Sequence, residues 1–228
     1  MPLTKDIIKV ARCENIDWDA GVGKGACEKI VAYQGISPSS FKDEYQLPEP
    51  FSGEIDKAKY LIIGSNPAYK KEETPFPRYS WNDKDIASFF YDRMSSYSNK
   101  GHLTGCKKVI SWITGYGVGN IKNEEIALSD IVHCKSNKEA GVSKACSICA
   151  EKHLEHVLGL FNGKYIILLG SKIQDCLDKN KTVRDILKEA EKRGVRIVKA
   201  RHPKAHFSNE KKEEYVQTSF NTGIWWPR

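Results

Sequence analysis

Three polar side chains with useful chemistry lie in or directly after short apolar stretches of the sequence. Asn66 follows the run Y-L-I-I-G-S, Asp130 lies within I-A-L-S-D-I-V-H, and His202 follows V-R-I-V-K-A-R. Such runs have no helical period and are typical of buried parallel strands. Parallel strands end at one edge of a sheet, where open α/β sheets bind ligands. The three side chains are therefore expected to share one pocket.

Asn66 would present a fixed amide to whatever enters that pocket. Gly64 allows the backbone to turn after the strand, and Pro67 prevents Asn66 from continuing into a helix. The same G-S-N-P sequence also suits an ordinary turn. This stretch alone leaves both interpretations open.

The surrounding pattern predicts the elements that position these residues. Strands are predicted over Tyr60–Ile63, Ile126–His133, Lys164–Leu169 and Val195–Lys199. Helices are predicted over Asp83–Ser98, Cys106–Tyr116, Ala145–Phe161, Thr182–Arg193 and Asn209–Asn221. Asp83 and Thr182 are the expected N-caps, and Phe41–Ile55 is interpreted as a linker. Alternating strands and helices predict a three-layer α/β/α sandwich around a four-stranded, mostly parallel sheet.

Length and composition favour a single domain of 228 residues with an N-terminal segment over 1–50. No apolar run is long enough to cross a membrane, and M-P-L-T-K-D lacks the apolar core of a secretory signal. A monomer in the cytoplasm is expected. The net charge of +7 favours a polyanionic partner, although an ordinary mildly basic protein has the same balance.

Two of these motifs, taken in order, resemble the uracil-DNA glycosylase superfamily. G-S-N-P (Gly64–Pro67) is similar to the first family motif and R-H-P-K (Arg201–Lys204) to the second, a loop that enters the DNA minor groove. Between them, L-S-D-I-V-H-C-K-S, C-A-E-K-H-L and Y-I-I-L-L-G-S-K-I resemble the iron–sulfur branch of that superfamily. The resemblance covers about residues 59 to 207, and it is the order of the motifs that makes it specific.

The resemblance implies hydrolysis of an N-glycosidic bond in DNA by Asn66 and His202. The Asn66 carbonyl would orient a water against C1′ of a sugar with oxocarbenium character. His202 would donate a hydrogen bond to the pyrimidine O2 as negative charge develops there. No lysine occupies the Asn66 position, which predicts a monofunctional glycosylase without a Schiff-base step. The alternative for His202 is a turn residue before Pro203.

Other residues of the motifs are expected to hold the flipped base and the DNA. Gly64 and Ser65 would border the base, and Phe76 is the first choice to stack on it, followed by Tyr69 and Tyr79. Phe76 could equally pack its loop onto the core. A second set is expected to contact phosphates or to fill the gap left by the base: Arg201, Lys204 and His206.

Asp130 departs from the family pattern. The corresponding position in the iron–sulfur uracil enzymes carries an Asn, whose amide can pair with O4 and N3–H of uracil. A carboxylate only accepts, so it would repel O4 and favour the N4 amine of cytosine. This predicts a modified cytosine as the substrate, for example a hydroxymethylated or glucosylated one from phage DNA. The alternative is that Asp130 is a structural cap and the substrate is uracil.

The cysteines are clustered as metal ligands would be, and a disulfide framework is not expected in a reducing compartment. By resemblance, a [4Fe–4S] cluster would be held by four of them: Cys13, Cys27, Cys134 and Cys149. The family's N-terminal pair is usually closer together than Cys13 and Cys27. A zinc ion is the alternative, and Cys146 could replace one ligand. Two further cysteines are interpreted as buried small hydrophobes: Cys106 and Cys176.

Two rival functions use the same features. A metal-stabilised domain that binds modified DNA without cutting it would keep the charge, the pocket and the cysteines, but it has no need of Asn66 facing His202. A nucleotide hydrolase receives little support, because G-V-G-K-G (Gly21–Gly25) carries Gly25 where a phosphate loop has Ser or Thr, and no strand leads into it.

Overall fold

Four parallel strands form the central sheet, in the order β4-β3-β5-β6. The computed structural model describes residues 4–73, 75–96, 100–203 and 208–214. The sheet strands are β3 (Tyr60–Gly64), β4 (Ile126–Asp130), β5 (Tyr165–Leu169) and β6 (Arg196–Ala200). A separate antiparallel pair lies near the N-terminus, with strands β1 (Ile16–Asp17) and β2 (Val22–Gly23). All four predicted sheet strands are present, but the second ends at Asp130 and not at His133.

Helices cover both faces of this sheet. They are α1 (Thr4–Ala11), α2 (Glu28–Ala32), α3 (Phe41–Glu44), α4 (Asp83–Asp92), α5 (Lys100–Thr114), α6 (Val142–Leu160), α7 (Ser171–Lys179) and α8 (Lys181–Lys192). Because side chains alternate across a strand, Ile62 packs with the buried face of α5, whereas Leu61 and Ile63 pack with α4, α6 and α8. The predicted three-layer α/β/α sandwich is confirmed.

Several local predictions differ from the structure. Asn82 caps α4, since its Oδ1 accepts a hydrogen bond from Asp85 N at 2.9 Å, and Asn180 caps α8 in the same way through Val183 N at 3.2 Å. The predicted N-caps, Asp83 and Thr182, are therefore wrong, because both residues lie inside their helices. Helix α7 was not predicted; its N-cap is Gly170, which offers no side-chain hydrogen bond.

The stretch interpreted as a linker, Phe41–Ile55, is part of the core. Tyr45, Leu47 and Phe51 are fully buried within it, and Ser52 forms an antiparallel bridge with Leu128. The prolines had suggested a solvent-exposed connection, but the segment instead lies along β4. Among the described residues, no helix is long and apolar enough to cross a membrane.

Candidate active site

The carboxyl ends of the sheet strands border a pocket of about 270 Å³. Its lining includes Asn66 after β3, Asp130 at the end of β4 and His202 after β6, so the structure brings the three predicted side chains together. Gly64 and Ser65 also line it. The parallel register explains this convergence, because Gly64 pairs directly with Asp130 across β3 and β4.

Asn66 is held by the loop that follows β4. Its Nδ2 donates to the Ser136 carbonyl oxygen at 3.0 Å, to Ser136 Oγ at 3.1 Å and to the Pro67 carbonyl oxygen at 3.0 Å. The two loops run side by side, since Val132 N donates to Ser65 O and Ser136 N donates to Pro67 O. These bonds fix the amide plane, and the carbonyl oxygen is the group that Asn66 can present to the pocket.

Position 64 needs a glycine because the Asp130 carboxyl lies close to its Cα, and not because the chain turns there. Its φ does not lie in the left-handed region, and a Cβ built at Gly64 would lie only 2.5 Å from Asp130 Oδ1. Any other residue at position 64 would displace the carboxyl from the pocket. The expectation that Gly64 serves the backbone turn is corrected here: its role is this close approach.

The pKa of Asp130 is raised well above its ordinary value. Removal of the carboxyl from water is the main cause, and the negative charge of Glu49 adds to it, whereas Lys135 acts in the opposite direction. Asp130 as a whole residue is only partly buried, and it borders the pocket. The shift favours the protonated form of Asp130, which can both donate and accept a hydrogen bond.

Replacing Asp130 with Asn should stabilise the protein increasingly as the pH rises. With the pKa of Asp130 higher in the folded than in the unfolded state, the folded protein binds more protons, and native stability falls with pH through this interval. Asn at this position does not titrate, so the difference in unfolding free energy between Asp130→Asn and the native protein should grow as the pH rises above the ordinary pKa of an aspartate, by at most about 1.4 kcal/mol per pH unit. Urea denaturation at fixed ionic strength measures it.

The matched control for that experiment is Asp185→Asn, on an exposed position of α8. This variant should show a difference that changes little over the same pH range. A pH-independent difference for Asp130→Asn would mean that the carboxyl titrates at its ordinary pKa.

The loop that carries His202 is pressed against α5. A Cβ at Gly105 would lie 2.8 Å from Pro203 Cγ, so the glycine permits this contact, and Lys212 Nζ donates to the Pro203 carbonyl oxygen at 2.9 Å. The His202 and His102 rings stack with centroids 5.9 Å apart and planes inclined by 26°. His102 also lines the pocket. His202 is thus positioned by two neighbouring elements and does not depend on its own turn alone.

Sequence reasoning missed five charged residues that line the same pocket, namely Lys70 and four that interact with one another. We call these four the charged cluster: Glu49, Glu73, Arg93 and Lys135. Lys135 Nζ lies 2.5 Å from Glu73 Oε2, Arg93 Nη2 donates to Glu73 Oε1 at 2.7 Å, and Arg93 Nε lies 3.7 Å from Glu49 Oε1. The Lys135 side chain is only 1% exposed. The sequence held one indication of the charged cluster, because Arg93 is a charged residue in the apolar helical stripe that runs along α4 and continues past its end.

The pKa values of the charged cluster show the competition between burial and pairing. Burial acts to raise the pKa of Glu73, but the attraction of Lys135 and Arg93 outweighs it and the pKa is lowered. Burial lowers the pKa of Lys135, against the opposing effects of Glu49 and Glu73. Glu73 therefore lies between two cations as a charged carboxylate.

Phe76 does not line the pocket. It is 2% exposed and packs edge-on against Phe89 and Phe90, while Lys135 Nζ lies 3.5 Å from its ring centroid. The expectation that its face is available to a flipped base is wrong for this structure, because the charged cluster covers the ring. The alternative, a core residue that anchors its loop, is correct.

Tyr69 lines a neighbouring groove of about 730 Å³ and not the pocket itself. Its ring packs edge-on against the Tyr33 ring, with the centroids 6.1 Å apart. Its backbone N donates a hydrogen bond to Asn137 Oδ1 at 3.0 Å. Tyr79, the other candidate, stacks on Trp18 at 4.7 Å in the N-terminal segment. Neither tyrosine stands where the pocket residues converge.

The second motif is described only in part. Arg201 is partly buried directly after β6 and does not line the pocket. The predicted DNA contacts of Lys204 and His206 lie outside the described residues. The predicted helix Asn209–Asn221 is described over 209–214, where it is helical.

The four cysteines of the predicted ligand set are all buried and free: Cys13, Cys27, Cys134 and Cys149. They come from the end of α1, the turn before α2, the loop after β4 and the middle of α6. Burial raises the pKa of the Cys134 thiol, and the charges of the other three cysteines raise it further. His153 Nε2 lies 3.1 Å from Cys13 Sγ.

The local sequence around Cys27 has a structural explanation. A Cβ at Gly23 would lie 2.4 Å from the Cys27 carbonyl oxygen, and Gly25 has a φ of +55°. The glycines of G-V-G-K-G thus form β2 and the tight turn that carries Cys27 into the protein. This agrees with the interpretation that the run is not a phosphate loop.

Two cysteine predictions are corrected by the structure. Cys146 is bonded to Cys176 in a disulfide between α6 and α7, so it is not a substitute ligand and Cys176 is not a free hydrophobe. The expectation that no disulfide forms is wrong for this pair. Within the described ranges, no group of three or more His, Cys, Asp or Glu side chains is arranged to hold a metal ion.

Comparison with protein-family models matches residues 50–222 to the uracil DNA glycosylase superfamily. Comparison with curated proteins returned no match. The matched region contains the whole four-stranded sheet and the pocket with Asn66, Asp130 and His202, and it leaves Cys13 and Cys27 outside. The chain belongs to the uracil DNA glycosylase superfamily, whose members are DNA glycosylases.

Proposed function

We propose that this protein is a monofunctional DNA N-glycosylase that flips a cytosine-type base modified at C5 and excises it, leaving an abasic site. The observation that carries the proposal is the convergence of Asn66, Asp130 and His202 on one pocket of a uracil DNA glycosylase fold. A domain that only binds DNA has no need of a fixed amide and an imidazole in the same pocket.

The reaction follows from the chemistry of these residues. The N1–C1′ bond breaks and its electron pair stays on the base, while the sugar acquires oxocarbenium character. The Asn66 carbonyl oxygen holds a water whose oxygen bonds to C1′, and the water's proton leaves to solvent or to the departing base. His202 donates a hydrogen bond to O2 of the base as negative charge develops there.

Lysines line the pocket, among them Lys135, which is held in an ion pair although burial lowers its pKa. Lys135 Nζ is paired with Glu73 Oε2 at 2.5 Å and lies over the Phe76 ring at 3.5 Å. A carboxylate and an aromatic face both stabilise the cation. The proposal therefore remains a hydrolysis without a covalent Schiff base.

Asp130 is proposed to contact the exocyclic group at C4 of the base. The ionised carboxyl accepts a hydrogen bond from N4 of cytosine, and the protonated carboxyl accepts from N4 and donates to N3. Both forms are compatible with a cytosine edge. Excision of unmodified cytosine would damage the cell's own genome, so a base found in invading phage DNA, hydroxymethylated or glucosylated, is the proposed substrate, and the role is defence.

Uracil is the second candidate, and one observation favours it. The raised pKa of Asp130 populates the protonated carboxyl, which can donate to O4 of uracil and accept from N3–H, as an asparagine would. The carboxyl would then perform the task of the asparagine found in the uracil enzymes. The function in that case is base-excision repair.

The proposed cofactor is a [4Fe–4S] cluster held by Cys13, Cys27, Cys134 and Cys149, with structural zinc as the alternative. Support comes from four buried, free thiols whose charges act on one another. Four thiolates are the donor set of such clusters. The cluster would join the N-terminal segment to the loop after β4, which also holds Asn66, and its role is structural.

A single-turnover excision assay on a panel of DNA duplexes tests the function. The panel contains uracil, cytosine, 5-methylcytosine, 5-hydroxymethylcytosine and its glucosylated form, and alkali cleavage reveals abasic sites. We expect product from the modified cytosines and none from cytosine. A parallel reaction with borohydride should trap no covalent adduct, because the proposed reaction has no Schiff base.

Three other results are distinguishable. Product from uracil alone makes the protein a repair enzyme, and Asp130→Asn should then retain activity. Binding without product on any duplex supports the non-catalytic reader of modified DNA. A trapped adduct contradicts the monofunctional mechanism and points to Lys135 or Lys70, the two lysines that line the pocket.

A further inference from the structure

The pocket is lined by more charged side chains than the hydrogen-bonding edge of a pyrimidine can contact. The edge that distinguishes one pyrimidine from another consists of the group at C4 and N3, and Asp130 is sufficient to contact it. The charged cluster adds two carboxylates and two cations to the same lining. It needs a chemical explanation beyond base recognition.

The charged cluster shares the pocket lining with Asp130. Ser129 Oγ, beside Asp130, donates to the Pro50 carbonyl oxygen at 2.7 Å, and Glu49 N donates to the His133 carbonyl oxygen at 2.8 Å, so Glu49 lies next to the end of β4 that carries Asp130. Lys135 follows on the loop after β4 and lines the same pocket. In a pyrimidine, C5 is bonded to C4. If Asp130 contacts the group at C4, a substituent on C5 is directed toward the residues beside Asp130, and these are Glu49 and Lys135.

The positions of the cluster side chains are fixed before any ligand binds. Lys135 is 1% exposed, Glu49 and Arg93 are each 11% exposed, and Glu73 is 19% exposed. Ser52 Oγ donates to Glu49 Oε1 at 2.6 Å, and the Arg93 guanidinium lies 4.9 Å from the Phe76 ring centroid. A partner that enters here meets preorganised donors and acceptors and does not order mobile surface chains.

The mixed signs of the cluster select among possible substituents. An anionic group would meet Glu49 and Glu73, and a cationic group would meet Lys135 and Arg93, so neither is favoured. A methyl group would exclude water from these charged side chains and offer no hydrogen bond in its place, which is unfavourable. A hydroxyl both donates to a carboxylate and accepts from an ammonium or guanidinium.

From this arrangement we infer that the charged cluster is a binding subsite for a neutral, hydroxyl-bearing substituent on C5 of the flipped base. The inference rests on the proposed function only in placing the base in this pocket with C4 toward Asp130. Glu49 and Glu73 accept from the hydroxyls and Lys135 and Arg93 donate to them. The subsite would exclude 5-methylcytosine as well as cytosine.

The test is a double variant that removes both partners of one ion pair, Glu73→Gln with Lys135→Met. Removing only Lys135 or only Glu73 would leave an unpaired buried charge and destabilise the fold, whereas the double variant keeps side chains of similar volume and leaves Arg93 with Glu49 as its carboxylate partner. The matched control removes an exposed pair of the same kind on α8, Asp185→Asn with Lys188→Met. All proteins carry Asn66→Ala so that binding is measured without turnover.

The readout is equilibrium binding to duplexes that contain 5-hydroxymethylcytosine, its glucosylated form, 5-methylcytosine or a tetrahydrofuran abasic analogue. The parent should bind the hydroxyl-bearing bases about tenfold or more tightly than 5-methylcytosine, the size expected when hydrogen bonds to charged groups are made. The double variant should reduce this preference to about twofold, with affinity for the tetrahydrofuran duplex unchanged as a control for folding and backbone binding.

Retention of the preference in the double variant overturns the inference, as does a parent that binds 5-methylcytosine equally well. Failure of the proposed function gives a different result. If the protein with native Asn66 releases no base, yet the hydroxyl preference is present and disappears in the double variant, the subsite stands and the glycosylase proposal fails.

Discussion

Replacing Asn66 by alanine is expected to lower the single-turnover rate of base excision by roughly 10²- to 10³-fold, while DNA affinity changes by no more than about twofold. Asn66 makes no ion pair and supports no core contact that DNA binding needs. Its proposed work is to orient one water, and a misplaced nucleophile has a cost of this order. Rates measured with enzyme in excess, together with binding to the tetrahydrofuran duplex, separate the two effects.

The hydrogen bonds of Asn66 sharpen this prediction. Asn66→Asp would place carboxylate oxygens against the carbonyl oxygens of Pro67 and Ser136, which now accept from Nδ2 at 3.0 Å. The stronger base should therefore not rescue the reaction, because repulsion displaces it. Ser136→Ala removes one of the three acceptors and should cost about tenfold or less, as expected of a positioning residue.

Asn123→Ala is the matched control for Asn66, because Asn123 is exposed and precedes β4 at the opposite edge of the sheet. It should leave excision and binding unchanged. A rate for Asn66→Ala close to the native rate would remove Asn66 from the mechanism and favour a catalytic group elsewhere in the pocket.

Replacing Cys134 by alanine is expected to have the largest effect on stability. If the four thiols hold a cofactor, the loss of one ligand releases it, and the N-terminal segment loses its connection to the loop after β4. A loss of roughly 3–4 kcal/mol would lower the unfolding temperature by about 10 °C in a protein of this size. Differential scanning calorimetry measures the shift, and iron and zinc analysis with absorbance near 400 nm measures the cofactor.

Cys106→Ala is the control for Cys134→Ala. Cys106 is equally buried, but it lies on α5, on the opposite face of the sheet, where its Sγ is 3.6 Å from His102 Nε2 and its other neighbours include apolar side chains. Its replacement should cost about 1 kcal/mol and leave the metal content unchanged. Equal shifts for the two variants, with no iron or zinc in the native protein, would overturn the cofactor proposal and leave four buried thiols of the core.

The disposition of the motifs shows what the sequence determined by itself. The apolar runs before Asn66, Asp130 and His202 predicted parallel strands, and topology alone then predicted that the three residues share one edge of the sheet. Those predictions required only local patterns and one general rule of handed, parallel connections. The fold class and the central residues of the site were predictable for that reason.

The identity of the pocket walls was decided only by tertiary structure. Glu49 lies in a stretch whose prolines indicated a linker, Arg93 lies in an apolar stripe, and Lys135 adjoins a cysteine, so no local pattern joins them. They meet because the segment after α3 runs along β4 and the end of α4 reaches the pocket. The same long-range packing covers Phe76, which has the right residue type for stacking and the wrong surroundings.

Charge state is the clearest case of this division. The sequence determined that position 130 carries a carboxyl, and from the ordinary pKa of an aspartate it predicted a pure acceptor. Burial beside Glu49 raises that pKa, so the protonated carboxyl can also donate. A residue's type is set by the sequence, but its protonation depends on solvent and neighbouring charges, and only the folded chain brings those together.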